Sequence, residues 1–350
     1  MSTLDLLILL LVVLGSAIAA VLVTVAVSSV VRAHRDRLEP TLSEARSAIV
    51  GALSGEADAA SGIVSGLAGF SRRCVIEMML DLAPSLSGTS RLTLLSLAED
   101  AGVLARARAG VRSRRWSTRL YSARVLTAFG VESDDLCALL EDRSSEVRAQ
   151  AAYWTAVTPN DLAIGGVIGL LGDDDGLCRF AAQDALIRIG LPSVDALIAA
   201  LDRPDQEITD RVLEIAAVMA DDRFYPPAVA RMTDPSPGTR ALAAAVMART
   251  ANPDAGPNLI TLLDDPSNQV VLAAAAGLAT LSYWPGAAAV EPLLDHPLWE
   301  VRKQAALTLL ALGASGSILL SVNAPGVGPA AEMAGQALQL RSLAIQSGAV

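Results

Sequence analysis

Side chains that commonly carry out chemistry are scarce in this chain of 350 residues, which has two histidines and three cysteines. Neither His34 nor His296 has a nearby Ser, Cys or acidic residue at the spacing of a known catalytic or metal site. Cys74, Cys137 and Cys178 show no paired spacing, and each lies within a helical pattern, so we expect buried and reduced thiols.

The run from Asp173 to Asp175, followed by Gly176, is the best candidate for a metal site. It lacks the alternating ligands and the sixth-position glycine of a calcium-binding EF-hand loop. Acidic residues at the start of a helix explain it better. Because no phosphate-binding glycine loop, zinc spacing or nucleophile elbow is present, the sequence predicts no cofactor and no metal. An enzyme therefore ranks third, after the scaffold and the lipid-binding module described at the end of this section.

Arginine is concentrated in one part of the chain. Lys and Arg together number 27, and Lys303 is the one lysine among them. One stretch has no acidic residue and contains Arg106, Arg108, Arg112, Arg114, Arg115, Arg119 and Arg124. It can be a solvated helix face, or it can contact anionic lipid or an acidic partner. Nucleic acid is disfavoured, because residues 131–350 hold 13 basic and 27 acidic residues and would repel phosphates.

Larger elements must position these arginines, and the chain repeats one unit about every 31 residues. The clearest copies are residues 139–157, 170–190 and 293–313. In one register the repeated residue is Arg119, Arg148, Arg179, Arg240 and Arg302. Ile208 and Val271 fill the two intervening positions. Such a repeat predicts a solenoid, which presents a long surface to a partner.

Each unit has the pattern of an antiparallel helix pair. The first helix is short, as in residues 193–201, and the second is longer, as in residues 265–281, where apolar residues recur at helical spacing. An Asp or Ser opens the second helix, and a glycine such as Gly190 or Gly313 closes it. No alternating stretch is long enough for a strand. The sequence therefore predicts an all-α protein with about eight helix pairs.

The pattern resembles HEAT repeats, in the short form also called phycobilisome-lyase-type repeats. An acidic turn and an apolar–Arg step carry the resemblance. The matching residues are Asp142 with Val147 and Arg148, Asp173 with Cys178 and Arg179, Asp234 with Thr239 and Arg240, and Asp295 with Val301 and Arg302. The resemblance implies that these acids and arginines form a structural ladder of hydrogen bonds between units. The ladder is expected to break at Ile208 and Val271, and no lyase activity is carried over.

The N-terminus has the pattern of a membrane anchor. Residues 6–31 contain no charged residue. At about 1.5 Å per residue they exceed the ~30 Å hydrocarbon core of a bilayer, so we predict one transmembrane helix at residues 4–31. A secretory signal peptide is the alternative, but it would have a basic start and a shorter apolar stretch. Because Arg32, Arg35 and Arg37 follow the stretch, we expect the N-terminus outside and the repeats in the cytoplasm.

Composition sets the remaining boundaries. Residues 32–70 hold Pro40 and several glycines, which predicts a juxtamembrane linker or helix. We place the HEAT-like solenoid at residues 71–313 and an atypical capping unit at residues 314–350. The near absence of lysine is typical of a high-GC bacterial genome, so the membrane is expected to be a bacterial plasma membrane.

The sequence thus predicts a membrane-anchored scaffold or adaptor. Its solenoid would bind a protein through the inner face, lined by the second helices. We expect an integral membrane protein or complex, such as an envelope glycosyltransferase or a transporter. Exposed aromatic and arginine side chains dominate binding energy. The candidate contacts are Arg112, Arg114, Arg115, Trp116, Arg119, Tyr121, Tyr153, Trp154 and Trp299. One of the adjacent pair Tyr153 and Trp154 is expected in the core. The alternative is a regulatory or lipid-binding module that uses the basic stretch.

Overall fold

The computed structural model describes residues 72–250 and 252–346, which form eighteen α-helices and contain no β-strand. The predicted all-α class is confirmed. The predicted membrane helix at residues 4–31 and the linker at residues 32–70 lie outside the described residues. Among the helices between residues 72 and 346, none is both long and apolar enough to cross a membrane.

The described chain divides into two compact units. The first consists of residues 72–114 with Arg124–Val131, and the second of Arg115–Ala123 with residues 132–346. The helices of the first unit are α1 (Arg72–Leu82), α2 (Gly88–Asp100), α3 (Val103–Gly110) and the second half of α4 (Trp116–Phe129). Its core contains Leu94, Leu104 and Leu126, each at most 1% exposed.

The second unit alternates short and long helices. The short first helices are α5 (Asp134–Cys137), α7 (Asp161–Gly169), α9 (Val194–Ala200), α11 (Tyr225–Ala230), α13 (Ala255–Thr261) and α15 (Ala287–Val290). The long second helices are α6 (Ser145–Val157), α8 (Gly176–Ile189), α10 (Gln206–Met219), α12 (Pro237–Met247), α14 (Asn268–Thr280) and α16 (Trp299–Ala311). Two further helices, α17 (Gly313–Asn323) and α18 (Pro329–Gln346), lie in the segment expected to cap the array.

The second helices form a continuous stack because each carries small apolar residues at helical spacing. In α6, Val147, Ala151 and Trp154 are buried, and in α8 Ala181 and Ala185 are buried with them. Consecutive second helices contact each other from α6 to α16. Alanine allows two helix backbones to approach closely, and interiors of this kind are packed as densely as organic crystals. The second unit is therefore an α-solenoid with its core between the stacked pairs.

Glycine sets two features of this stack. Gly190 and Gly313 end second helices with φ values of 67° and 71°, which L-residues other than glycine rarely adopt. Gly316 has a different role, because α17 crosses α16 at this point. A Cβ atom on Gly316 would lie 1.9 Å from the carbonyl oxygen of Leu309. The crossing therefore requires the absence of a side chain.

Candidate functional site: the second-helix face

An acidic turn precedes most second helices, and its carboxylate first stabilises the turn. Oδ1 of Asp142 accepts a hydrogen bond from the backbone N–H of Ser144 at 2.9 Å. The same bond, at 2.8–2.9 Å, is made by Asp173, Asp234 and Asp265. Before α16 the position is filled by His296, whose Nδ1 accepts from the N–H of Leu298 at 3.1 Å. The turn position is thus defined by geometry, two residues before the helix N-cap.

Among the described residues, three arginines join one repeat to the next through these carboxylates. Nε and Nη2 of Arg148 donate to the two carboxylate oxygens of Asp173, at 2.7 and 2.8 Å. The same two-bond geometry is found in the pairs Arg119–Asp142 and Arg240–Asp265. Nη1 of Arg148 also donates to the backbone carbonyl of Asp142 at 2.7 Å. One guanidinium thereby bonds its own turn and the next one.

These pairs are shielded from water, which strengthens the charged hydrogen bonds. The side chains of Arg148 and Asp173 are 18% and 10% exposed. Burial raises the pKa of the Asp142 and Asp173 carboxyls, but hydrogen bonds from arginine and the turn N–H groups outweigh it, so each pKa lies below its usual range. The bond from Arg240 is the main cause of the lowered pKa of Asp265. All three carboxylates therefore stay ionised at neutral pH, with their arginines engaged.

The ladder is interrupted between α8 and α10. Two residues before the α10 N-cap stands Arg203, a cation where the other turns have an acid or His296. Arg179 therefore finds no turn carboxylate, and its Nε lies 4.0 Å from Glu207 on α10. Nη1 of Arg179 still donates to the backbone carbonyl of Asp173 at 2.7 Å. The α8–α10 junction has lost the bond between repeats and kept the bond within the repeat.

The next junction, between α10 and α12, replaces the ladder with a different polar cluster. Thr209 stands where an arginine is found in five other repeats, so Asp234 receives no bond from the preceding helix. The buried Thr239 donates to Oδ1 of Asp210 at 2.6 Å, and Gln206 donates to the same oxygen at 3.1 Å. The bond from Thr239 joins α12 to α10 in place of an Arg–Asp pair, and the bond from Gln206 lies within α10.

At the end of the array, the arginine of the last second helix, Arg302, has no turn carboxylate as a partner within the described part of the chain. Nη1 of Arg302 donates to the backbone carbonyls of His296 and Pro297, at 2.8 and 2.9 Å, as the other ladder arginines do within their own turns. Its buried Nε has no hydrogen-bond partner among the described residues. The loop of residues 324–328 that precedes α18 contains no acidic residue. Val271, one repeat earlier, offers no donor to His296.

The register expected from the sequence is wrong at two points. The N-caps Asp175 and Asp205 are 30 residues apart, one fewer than the usual 31, so Thr209 and not Ile208 takes the arginine position. Asp295 is not a ladder residue, because His296 occupies the turn position and Asp295 is exposed in the preceding 3-10 turn.

Four further residues differ from the expected ladder. Asp265, which the pattern had not singled out, is the partner of Arg240. Arg179 and Arg302 keep only their bonds to the backbone of their own turns, apart from the long contact of Arg179 with Glu207. Asp234 stabilises its turn without bonding an arginine of the preceding repeat.

The candidate aromatic contacts separate by burial. Trp116 and Trp299 are each 49% exposed and are available to a partner. Tyr121 and Tyr153 are half-buried. Trp154 is 1% exposed, so its assignment as a contact is wrong, because it packs in the core of α6. Of the adjacent pair, Tyr153 is the one that reaches the surface.

The candidate basic contacts are exposed, with one exception. Arg112 and Arg114 lie in the first unit, and Arg115 begins the second. Arg119 is held by Asp142 and is only 16% exposed. It is a ladder residue and a poor candidate for a partner contact. Near the other end of the array, Nζ of Lys303 lies 5.2 Å from the ring centroid of Trp299, a cation–π geometry.

The structure adds exposed apolar residues that the sequence pattern did not single out. Phe180 and Leu177 on α8 are 63% and 46% exposed, and Trp284 before α15 is 65% exposed. Phe180 is the fifth residue after the N-cap of its helix, where the other second helices carry Ala149, Asp210, Ala241, Leu272 and Lys303. The column gives no clear signal, because Ala149 and Ala241 in it are buried whereas Phe180 is exposed. We define the second-helix face as the solvent side of α6 to α16.

Groups that could do other chemistry are engaged in the fold. Asp175 caps α8 through the N–H of Leu177 at 2.8 Å. Cys178 is fully buried, its thiol donates to the carbonyl of Ser145 at 3.2 Å, and burial raises its pKa to about 11. In residues 72–250 and 252–346, no group of three or more His, Cys, Asp or Glu side chains is placed to hold a metal ion.

Stacked helix pairs joined by Arg–Asp bonds define an α-solenoid repeat protein. A family model described as HEAT repeats matches residues 133–220, 194–281 and 225–311. These overlapping matches run from residue 133 to residue 311, about half of the chain. The chain belongs to the HEAT-repeat family, and its architecture is that of a protein-interaction scaffold. A comparison with curated proteins finds no match.

Several solved structures are similar to the chain at low sequence identity. An engineered protein is 21% identical over 86% of this chain and 95% of its own, with a TM-score of 0.37. The CpcE–CpcF complex of phycocyanin lyase from Nostoc sp. PCC7120 is 21% identical over 67% of this chain and 93% of its own, with a TM-score of 0.32. Importin beta is 12% identical over 79% of this chain and 47% of its own, with a TM-score of 0.46. At these TM-scores the resemblances support no functional conclusion.

Proposed function

We propose that the protein is a membrane-anchored scaffold that binds a partner protein through its second-helix face. The observation that supports this most is the contrast between two sets of side chains. Arg119, Arg148 and Arg240 are engaged inside the array. Phe180 and Trp299 are large, apolar and exposed on second helices. A rigid array with exposed aromatic side chains is a surface suited to binding.

The anchor is part of the same proposal and rests on the sequence. Residues 6–31 are uncharged and long enough for one span, and basic residues follow them. We place the N-terminus outside a bacterial plasma membrane and the repeats in the cytoplasm. Because an anchored scaffold searches for its partner in two dimensions, an integral membrane protein or complex is the partner we propose. Envelope glycosyltransferases and transporters are examples of this class. No cofactor, nucleic acid or catalytic step enters the proposal.

A second candidate function is contact with anionic lipid through the basic stretch. Arg106, Arg108, Arg112, Arg114 and Arg115 are all exposed, and no acidic residue lies among them. Each basic side chain near an anionic surface contributes roughly 1 kcal/mol of attraction, which salt weakens. This contact would add to the anchor and does not compete with partner binding on the second-helix face.

The scaffold proposal is tested by purification of the tagged full chain from detergent-solubilised membranes, with quantitative mass spectrometry of what accompanies it. Three versions are compared: the unchanged chain, a face variant with Phe180→Ser and Trp299→Ser, and a matched control with Leu162→Ser. Leu162 is 74% exposed but lies on the first helix α7. The expected result is one integral membrane protein at near-equal amount, retained by the control and lost by the face variant.

The opposite results are equally clear. If the face variant and the control retain the same partner equally, the second-helix face is not the binding surface. If no membrane protein accompanies any version, the proposed partner class is wrong. The lipid candidate is tested by flotation with liposomes. The unchanged full chain is compared with a variant in which Arg112, Arg114 and Arg115 are changed together to Glu. Loss of the preference for anionic over zwitterionic liposomes supports that candidate, and an unchanged preference removes it.

A further inference from the structure

Two exposed apolar side chains mark one place on the second-helix face, and we call them the α8 patch: Leu177 and Phe180. They are three residues apart, so they lie on the same side of α8. Between and beside them, Cys178 and Ala181 point into the core and are fully buried. The exposure of 46% and 63% is therefore a property of the solvent side of α8. Phe180 is the one aromatic residue at its position in the six second helices.

Acidic residues flank the α8 patch on both neighbouring helices. On one side, Glu207 at the start of α10 lies 4.0 Å from Nε of Arg179, which places it beside α8. On the other side, the Cys178 thiol donates to the backbone carbonyl of Ser145 at 3.2 Å, which places the start of α6, with Glu146, beside α8. Glu146 and Glu207 are both exposed.

Further carboxylates lie on the surrounding surface, beside the cations Arg179, Arg188, Arg203 and Arg211. Asp174 in the turn before α8, Asp184 on α8 and Glu214 on α10 are three of these carboxylates. Arg188 pairs with Asp184 and Arg211 pairs with Glu207, so these two cations neutralise only part of the acidic surface. Glu214 makes no ion pair among the described residues and is exposed. The α8 patch is therefore an apolar surface bordered by carboxylates.

The junction beside the α8 patch is also the least closely held. Arg203 replaces the turn acid there, so no Arg–Asp pair joins α8 to α10. α8 and α10 pack less closely against each other than α8 and α6 do. The α8 patch therefore lies beside the one junction between α6 and α10 that has no Arg–Asp pair.

We propose that the α8 patch binds a cationic amphipathic helix of the partner, with its apolar side on Phe180 and Leu177 and its Lys or Arg residues facing Glu146, Glu207 and Glu214. Helix-in-groove recognition uses apolar residues at spacings of three and four, and complementary charge steers and orients the helix. This inference rests on the proposed function as a protein-binding scaffold. It is consistent with a membrane partner, because cytoplasmic segments next to membrane spans are rich in Lys and Arg.

The probe is a synthetic amphipathic helix of Leu and Lys, about 18 residues long, which is enough for stable helicity on binding. One control peptide replaces every Lys with Glu, and another keeps the Leu–Lys composition but scrambles the helical spacing. Binding is followed by fluorescence anisotropy against the full chain in nanodiscs of zwitterionic lipid, with empty discs subtracted. We expect the Leu–Lys helix to bind the chain at least tenfold more tightly than either control peptide.

Variants of the full chain locate the binding. Phe180→Ser is expected to reduce the affinity of the chain for the Leu–Lys helix about tenfold, whereas the matched Leu162→Ser should leave this affinity unchanged. Glu214→Lys is expected to reduce the same affinity about fivefold at low salt and by a smaller factor at high salt. Asp264→Lys, which makes the same change of charge in the turn before α14, is its control. CD spectra of all variants confirm that the helical content is retained.

The outcomes decide the proposal. Equal binding of the Glu peptide, or an effect of Phe180→Ser no larger than that of Leu162→Ser, overturns it. If the peptide fails to bind while a membrane protein still accompanies the unchanged chain in purification, only the helix inference is wrong. If the peptide binds as expected but no membrane protein is recovered, the α8 patch stands and the proposed partner class is wrong.

Discussion

The Arg148 guanidinium donates two hydrogen bonds to the Asp173 carboxylate, at 2.7 and 2.8 Å, and so joins two consecutive repeats. The pair is mostly buried, and each partner is further bonded within its own turn. Three such pairs and one polar cluster connect consecutive repeats between α4 and α14, with an interruption between α8 and α10. They leave the exposed aromatic residues, and not these arginines, as the groups that can meet a partner.

Loss of a ladder arginine should destabilise the array. Arg148→Ala leaves the Asp173 carboxylate without its main partner, so we expect a loss of about 2 kcal/mol in unfolding free energy. Arg188→Ala is the control, because Arg188 pairs with Asp184 at a surface where its side chain is 65% exposed. That change should cost less than about 0.5 kcal/mol. Urea unfolding of the full chain in mild detergent, followed by CD, measures both, and equal midpoints for the two variants would contradict the ladder's role.

Stability should fall in acid, and the sign follows from the lowered pKa values of Asp142, Asp173 and Asp265. A carboxyl whose pKa is lower in the folded than in the unfolded protein contributes stability above the unfolded pKa, about 3.9. That contribution is lost as the pH falls through the folded pKa. We therefore expect the urea concentration at the unfolding midpoint to decrease once the pH is below about 4. A variant with Asp142→Asn and Asp173→Asn should be less stable than the unchanged chain at pH 7 and should lose less stability in acid. The control Asp264→Asn should have the same pH dependence as the unchanged chain.

The crossing of α16 and α17 gives a prediction about packing. Gly316→Ala would place a methyl group 1.9 Å from the Leu309 carbonyl oxygen, so the helices must separate. We expect a loss of about 1–3 kcal/mol. Gly335→Ala in α18 meets no atom within 4 Å and should be neutral or stabilising, because alanine favours the helix. Thermal unfolding compares the two, and an equal shift of both variants would show that the crossing is not tight.

The missing pair between α8 and α10 can be restored by design. Arg203→Asp places an acid at the turn position that Arg179 faces, so we expect a gain of about 1 kcal/mol in unfolding free energy. Arg203→Ala removes the same cation without supplying an acceptor and is the control. Hydrogen exchange of α8 and α10 should slow in the Asp variant only. Equal exchange in both variants would mean that Arg179 does not reach this turn.

The sequence was sufficient for the repeat and for part of the ladder. The recurrence of Leu-Leu, an acid and an apolar–Arg step correctly placed Asp142, Arg148 and Asp173, because both helix starts are separated by the usual 31 residues. It failed at Ile208, where one residue fewer separates the N-caps. A pattern cannot show which residue of a turn accepts the N–H bond, so Asp295 was chosen over His296.

The binding surface was harder to predict because exposure depends on neighbouring helices. Tyr153 and Trp154 are adjacent and both aromatic, and only the packing of α6 shows that Trp154 is in the core. Phe180 follows a ladder arginine and looks like part of the helix core in the sequence. Its exposure becomes evident only from the packing of the helices, because Ala149 and Ala241 at the same position of their helices are buried.

Site-specific photo-crosslinking in cells tests the central claim most directly. A benzophenone amino acid replaces Phe180 on the second-helix face in one version of the full chain and Leu162 on the first helix α7 in another. The account predicts that position 180 crosslinks to one integral membrane protein and that position 162 does not. Crosslinks to that protein from position 162 alone, or equally from both positions, would contradict the assignment of the second-helix face as the binding surface.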